Sequence, residues 1–255
     1  MDFIVLIPAR YASTRFPGKP LQMLGQKSVI EHTYRRAAEA AGEKNVWVAT
    51  DSEAIAEHVA LFGGQTVMVT EPVRSGTLRC AAAIRQLGIT PHAVVNVQGD
   101  EPFVDPADIR RLARAVASGH SEIATLVRRF DPELGFDALF DPNTPKVTFD
   151  ARGFALYFSR SIIPYVRNYP WQDWLDHAEF HTHIGTYAFT PDALCRVSAL
   201  PPSPAEEAES LEQLGWLHAG ERILTVISQS RHTIGIDTPD DLDLARRYLE
   251  TLDAR

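Results

Sequence analysis

An α/β fold built on a mostly parallel sheet is the class this chain of 255 residues predicts, and three observations carry it. Short apolar runs rich in β-branched residues alternate with longer amphipathic runs as far as residue 117. Such alternation implies right-handed crossovers between parallel strands. The first run ends in a stiff cationic loop, and the fourth ends in two acids, Asp100 and Glu101. Open α/β sheets bind their ligands at the carboxyl ends of strands, where both features fall. The length suits one core over residues 1–255 with a modest accessory lobe.

The first strand, Phe3 to Ile7, runs into Pro8-Ala9-Arg10-Tyr11-Ala12-Ser13-Thr14-Arg15-Phe16-Pro17-Gly18-Lys19-Pro20. Arg10, Arg15 and Lys19 stand there without an acid among them, in a chain of formal net charge -8. Prolines 8, 17 and 20 restrict the backbone and Gly18 permits a tight bend, so the loop is a braced cationic site suited to several phosphates. It is not a Walker A loop, and no G-x-G-x-x-G follows the strand. Ser28 to Ala41 reads as a helix stopped by Gly42, and Val46 to Ala49 as a strand. Asp51 or Ser52 caps a helix to about Phe62, and Thr66 to Val69 is the third strand.

Ser75-Gly76-Thr77 opens a helix to Leu87, either as a plain cap or as a helix start that offers its N–H groups to a ligand. Ala93 to Val97 is a buried strand followed by Gln98-Gly99-Asp100-Glu101-Pro102. Magnesium takes one or two carboxylates with substrate phosphates, so Asp100 is the natural first ligand, and Glu101 should face elsewhere. Pro106 to Ala117 is a helix with proline in its first turn. From Ser121 the texture becomes strand-like, at 122–129, 146–150, 154–158 and 183–189. This predicts a β-rich insertion over roughly residues 121–190, with 165–180 a long loop or lid holding Trp171 and Trp174. Helices follow at 191–199 and 204–218. The macrodipole accounts for Glu206 and Glu207 better than for Glu212. Ile223 to Ile227 is a strand, and Asp237-Thr238-Pro239 reads as an ordinary cap of the last helix.

The bulk numbers exclude several classes. An acidic balance argues against broad nucleic-acid binding. A 45% hydrophobic and 23% charged composition is that of a soluble globular protein. Cys80 and Cys195 have no paired-thiol spacing, so a reduced, cytoplasmic setting is expected and a zinc site is not. No leader precedes the first strand, and no apolar run approaches membrane-spanning length.

The chain resembles the 3-deoxy-manno-octulosonate cytidylyltransferases from end to end. The motifs are IPARYASTRFPGKPL at 7–21, VATD at 48–51, SGT-x-R at 75–79, VNVQGDEP at 95–102, ALYFSR-x-x-IP at 155–164, H-x-G-x-Y at 183–187, LEQL at 211–214 and G-x-DTP-x-DL at 235–242. The first and fourth are highly specific. The resemblance implies a nucleotide-diphosphosugar-transferase fold, Rossmann-like and three-layered, and transfer of CMP from CTP to 3-deoxy-manno-octulosonate (Kdo), an acidic eight-carbon sugar. It implies that Arg10, Arg15 and Lys19 grip the triphosphate, and that Ser75, Gly76 and Thr77, with backbone near Ala9, border base and ribose. Asp100 and Asp237 become magnesium ligands, one ion or two, which replaces the cap reading of Asp237. Gln98, Arg160, His183, Tyr187, Glu212 and Gln213 form the sugar-acid pocket. A cytoplasmic homodimer joined through the insertion and serving lipopolysaccharide synthesis is the family expectation.

Three departures stand out: Leu78 where the family commonly has an acid, Gly25-Gln26-Lys27-Ser28 where N-G-K-P is usual, and an unfamiliar 165–180 segment. An acceptor such as 8-amino-Kdo or another ulosonate is the nearest rival. A catalytically silent nucleotide-binding regulator is disfavoured by the presence of Arg10, Lys19, Asp100 and Asp237. A D-x-D glycosyltransferase is disfavoured because the acids at 100 and 101 are adjacent.

Overall fold

A computed structural model describes residues 2–12, 16–230 and 234–253. Strand β1 (Phe3–Ala9) is buried along its whole length, as its unbroken apolar sequence requires of a strand covered on both faces. It pairs in parallel with β4 (Val46–Thr50) and with β6 (Ala93–Asn96), and β4 pairs in parallel with β5 (Thr66–Met68). Beyond β6 the sheet continues through β10 (His181–Phe189), β7 (Ile123–Arg129) and β11 (Ile223–Ile227). Only β10 runs against its neighbours on this path. A small ribbon of β2 (Met23–Leu24) and β3 (Lys27–Ser28) lies apart.

The chain leaves β1 toward β4 and β5 and then returns to β6 on β1's other side. This reversal opens a crevice between the carboxyl ends of β1 and β6, the place where such sheets bind ligands. On one face lie α1 (Val29–Ala41), α2 (Glu53–Leu61) and α4 (Pro106–Ala117), which bury Ile30, Ile55 and Leu112 against the sheet. On the other lie α3 (Gly76–Leu87), α7 (Pro191–Ser198), α8 (Pro204–Glu209) and α9 (Glu212–His218), with Cys80, Leu194 and Trp216 in the core. The last helix, α10 (Pro239–Asp253), folds back over β2 and Phe103. The result is the three-layer α/β/α arrangement expected.

The stretch 121–190 differs from the separate lobe that its texture suggested. Strands β7 and β10 are fully integrated, because Ile123, Leu126, Ala188 and Phe189 are buried within the main sheet. The accessory part reduces to the hairpin β8 (Lys146–Phe149) and β9 (Ala155–Ser159), which extends from β10, and two short helices, α5 (Gly135–Phe140) and α6 (Trp174–His177). The 165–180 segment is no open lid. Trp174 and Phe180 bury themselves against Phe130 and Leu139 in a small core of their own.

Candidate active site

At the end of β1, Gly18 takes a left-handed conformation (φ 68) and its N–H donates to the Tyr11 carbonyl at 2.9 Å, closing the cationic loop. The next residue, Lys19, thereby points back across the crevice. Its ammonium donates to Asp100 Oδ2 at 2.5 Å and to Asp237 Oδ1 at 3.0 Å, joining residues 218 positions apart. Arg15 lies outside the described residues. Arg10 is exposed on the same wall.

The acids are held with equal care. Gly99 lets the turn after β6 approach β1: a Cβ there would lie 3.0 Å from the Pro8 carbonyl. Thr33 of α1 donates to the Gly99 carbonyl at 3.3 Å. Ile236 N–H donates to the Asp100 carbonyl at 2.9 Å, which sets Asp237 opposite Asp100. Thr238, not Asp237, caps α10 by exchanging hydrogen bonds with Asp241. The Asp237 carboxylate is thereby directed to Lys19.

The first of two adjoining clefts is lined by Ala9, Arg10, Lys19, Ser75, Gly76 and Asp100, with Gln98 and Asp237 at its end. Ser75 caps α3 by accepting from Leu78 N–H at 3.2 Å. Gly76 permits close approach, since a Cβ there would sit 3.1 Å from Gln98 Oε1. Arg79 also lines this cleft, 5% exposed, and donates to Asp51 Oδ2 at 2.8 Å and the Val69 carbonyl at 3.3 Å. Asp51 of the VATD motif thus supplies the counter-charge that Leu78 does not. Thr77 stands behind this wall: it is buried and donates to Glu212 Oε1 at 2.6 Å.

The second cleft, of about 680 Å³, is of ligand-holding size. It shares Gln98, Asp100 and Asp237 with the first and adds His183, Tyr187, Glu212 and Gln213. Two residues of β10, Gly185 and Thr186, bulge out of register with β7, and Thr125 fills the gap, 2.9 Å from His183 Nε2 and 3.1 Å from the Thr186 carbonyl. Burial holds His183 neutral, its pKa lowered to about 3. It also raises the Tyr187 hydroxyl, and it raises the Glu212 carboxyl against the pull of the Thr77 hydrogen bond. The Gln213 amide nitrogen is buried with no partner among the described residues, a donor left over for a ligand.

Three sequence expectations need correction. The helix predicted over 204–218 is two helices, broken at Ser210, which adopts a left-handed conformation (φ 50). The break turns Glu212 and Gln213 into the second cleft. Arg160 does not line either cleft: its guanidinium donates to the carbonyls of Glu209 (2.6 Å), Pro142 (2.8 Å) and Ser210 (3.3 Å). Glu101 does line the second cleft beside Asp100, and burial with that neighbouring charge pushes its carboxyl up to about 8. Sequence reading also missed Arg128, Asp141 and Asn143 on this wall, which belong to no pattern and meet only because β10 pairs with β7 and receives the 141–145 turn, through the Pro145 carbonyl, at the same end.

Two carboxylate oxygens converging on one ammonium mark a cation position at the junction of the clefts. Among the described residues no cluster of three or more His, Cys, Asp and Glu side chains could hold a metal alone. Two carboxylates fit magnesium that completes its shell with substrate phosphate oxygens and water.

The Cytidylyltransferase family model matches residues 4–223. A 3-deoxy-manno-octulosonate cytidylyltransferase of Parabacteroides distasonis is 45% identical over 250 residues, covering 98% of each chain. One of Vibrio vulnificus is 40% identical over 251 residues, again with 98% of each covered. A solved CMP:2-keto-3-deoxy-manno-octonic acid synthetase complexed with CTP superposes with a TM-score of 0.88 at 37% identity, over 98% of this chain and 99% of the other.

Proposed function

The chain belongs to the cytidylyltransferase family, and from that membership we propose that it transfers CMP from CTP to Kdo, releasing pyrophosphate. The observation that carries this reading is the pair of clefts meeting at Gln98, Asp100 and Asp237. CTP occupies the first, with its triphosphate along Arg10, Lys19 and the N-terminus of α3, whose free N–H groups and dipole favour an anion. Kdo occupies the second. Its anomeric hydroxyl attacks the α-phosphorus in line, the bond to the bridging oxygen of the β-phosphate breaks, and the hydroxyl proton passes to solvent. Holding the two reactants in one geometry supplies much of the acceleration. Arg10 and Lys19 neutralise charge on the departing pyrophosphate.

Asp100 and Asp237 would hold magnesium, which when bound lowers the attacking hydroxyl's pKa and neutralises phosphate charge. Lys19 is in place to exchange a carboxylate for a phosphate oxygen when nucleotide arrives. His183, kept neutral, offers one donor and one acceptor to sugar hydroxyls, and Gln213 offers its spare amide N–H. The enzyme acts as a cytoplasmic homodimer in lipopolysaccharide precursor synthesis.

A pyrophosphate-release assay that crosses the four nucleoside triphosphates with Kdo, 8-amino-Kdo and sialic acid tests the assignment. Turnover is expected with CTP and Kdo, and Asp100→Asn should abolish it. Turnover of 8-amino-Kdo alone would move the acceptor within the class, and turnover of sialic acid alone would overturn the reading.

A further inference from the structure

Two stretches of the second cleft's wall belong to neither helix nor strand. One is the 141–145 turn, which contributes Asp141, Asn143 and Thr144. The other is the break between α8 and α9, which contributes Ser210 and Leu211 and leads into Glu212 and Gln213. Irregular backbone keeps a binding geometry only where something outside it fixes it.

Glu209, the last residue of α8, makes the connections that do so. Its carboxylate accepts from the Ser159 hydroxyl through Oε1 and from the Arg160 N–H through Oε2, each at 2.7 Å. The end of β9 is thereby tied to the break. The Glu209 carbonyl accepts from Arg160 Nε at 2.6 Å, and the same guanidinium reaches the carbonyls of Ser210 (3.3 Å) and Pro142 (2.8 Å). Lys146, fully buried, donates to the carbonyls of Asp141 (3.0 Å) and Thr144 (2.8 Å) and so holds the other end of the turn. Burial lowers the pKa of that ammonium, and the charges of Asp141 and Glu209 oppose the fall. Ser159, Arg160 and Glu209 line neither cleft.

We propose that Glu209 is a positioning residue of the acceptor cleft. It touches no substrate, and by joining β9, the α8–α9 break and, through Arg160, the 141–145 turn, it sets the spacing of the two irregular walls. The proposal rests on the acceptor reading of this cleft given above. A carboxylate suits the task because its two oxygens take two donors at once, and bonds to a charged acceptor are about twice as strong as neutral ones. The first cleft draws no residue from the tied segments, so the effect is confined to one substrate.

The experiment varies each substrate in turn in the pyrophosphate-release assay, with the ulosonate that the wild type uses best as acceptor. Glu209→Gln keeps the size of the side chain and one acceptor oxygen. It should lower kcat/KM for the acceptor about tenfold or more and leave the KM for CTP within about twofold. A residue that serves only the stability of the fold would lower the melting temperature and leave the two substrates equally affected or untouched, and either outcome overturns the proposal. Arg160→Lys should act on the same substrate. The double variant should be no more than about twofold worse than the poorer single one, because both cut one latch, and effects that multiply would overturn the proposal. Ser159→Ala removes a single bond and carries the test if Glu209→Gln does not fold. A loss of about threefold for the acceptor alone is expected there, and unchanged acceptor kinetics would refute the assignment. A wild type that turns over no ulosonate would sink the function proposed above, and that failure shows in the unsubstituted enzyme.

Discussion

At the scale of single residues, polar groups in the two clefts are tuned by what surrounds them. His183 lies against Phe158 and Tyr187, with ring centroids 4.9 and 5.4 Å away. The folded chain accordingly prefers the neutral imidazole, whereas the unfolded chain binds a proton below about 6.5. Between about 6.5 and the folded value near 3, unfolding takes up a proton, so stability must fall as pH falls through that window. Urea melts of wild type and His183→Gln from pH 4 to pH 7.5 should show the wild type losing up to about 1.4 kcal/mol more per pH unit on the acid side. Parallel slopes would mean that His183 is not buried as described. Of the individual site residues, Lys19 and Asp100 were legible because a charged residue beside glycine and proline at a strand end has few structural reasons to be there, whereas Asp237 reads from its own neighbours as a helix cap and only the family resemblance set it beside Asp100. Arg128 was not, since an arginine at the end of a strand is ordinary until the 141–145 turn and residues 234–241 are brought beside it.

Among the elements, helix α3 shows how a departure in sequence is absorbed. Leu78 removes a usual acid, and Asp51 at the end of β4 takes over the bracing of Arg79. Asp51→Asn therefore should raise the KM for CTP severalfold with the KM for Kdo unchanged, and cost about 1–2 kcal/mol because a buried guanidinium loses its counter-charge at a half-exposed partner. Steady-state kinetics with each substrate varied in turn check this, and equal effects on both substrates would refute it. Most strands and helices were readable from periodicity within a residue or two, because their apolar faces match the layers they join. The break between α8 and α9 was not, for Ala205 and Ala208 before it and Leu211, Leu214 and Leu217 after it keep one helical spacing. The one sign was Gly215, where a side chain would collide with the Glu206 carboxylate of the preceding helix.

For the whole molecule, the sheet's reversal at β1 and the late strands β10 and β7 place two clefts side by side, and the first is complete only with residues from both ends of the chain. That global arrangement followed from the βα alternation, whereas the merging of residues 121–190 into the main sheet did not, because strands do not record their neighbours. The hairpin leaves β9 as a free edge with Leu156 62% and Tyr157 41% exposed. A free apolar edge calls for cover, and a second copy would provide it. Light scattering should give about twice the mass of the chain, and Leu156→Lys should halve it. A monomeric wild type would remove the hairpin from any role in assembly.

The ammonium seated between Asp100 and Asp237 carries one more implication. It works as an internal placeholder, keeping two like charges close without waiting for an external ion. A solvated dication arriving by itself has little to gain by evicting a tethered, already neutralising partner. On the proposed reading, one delivered on a triphosphate would bring the anion onto which the lysine could step, so that vacancy and replacement would arise in a single event.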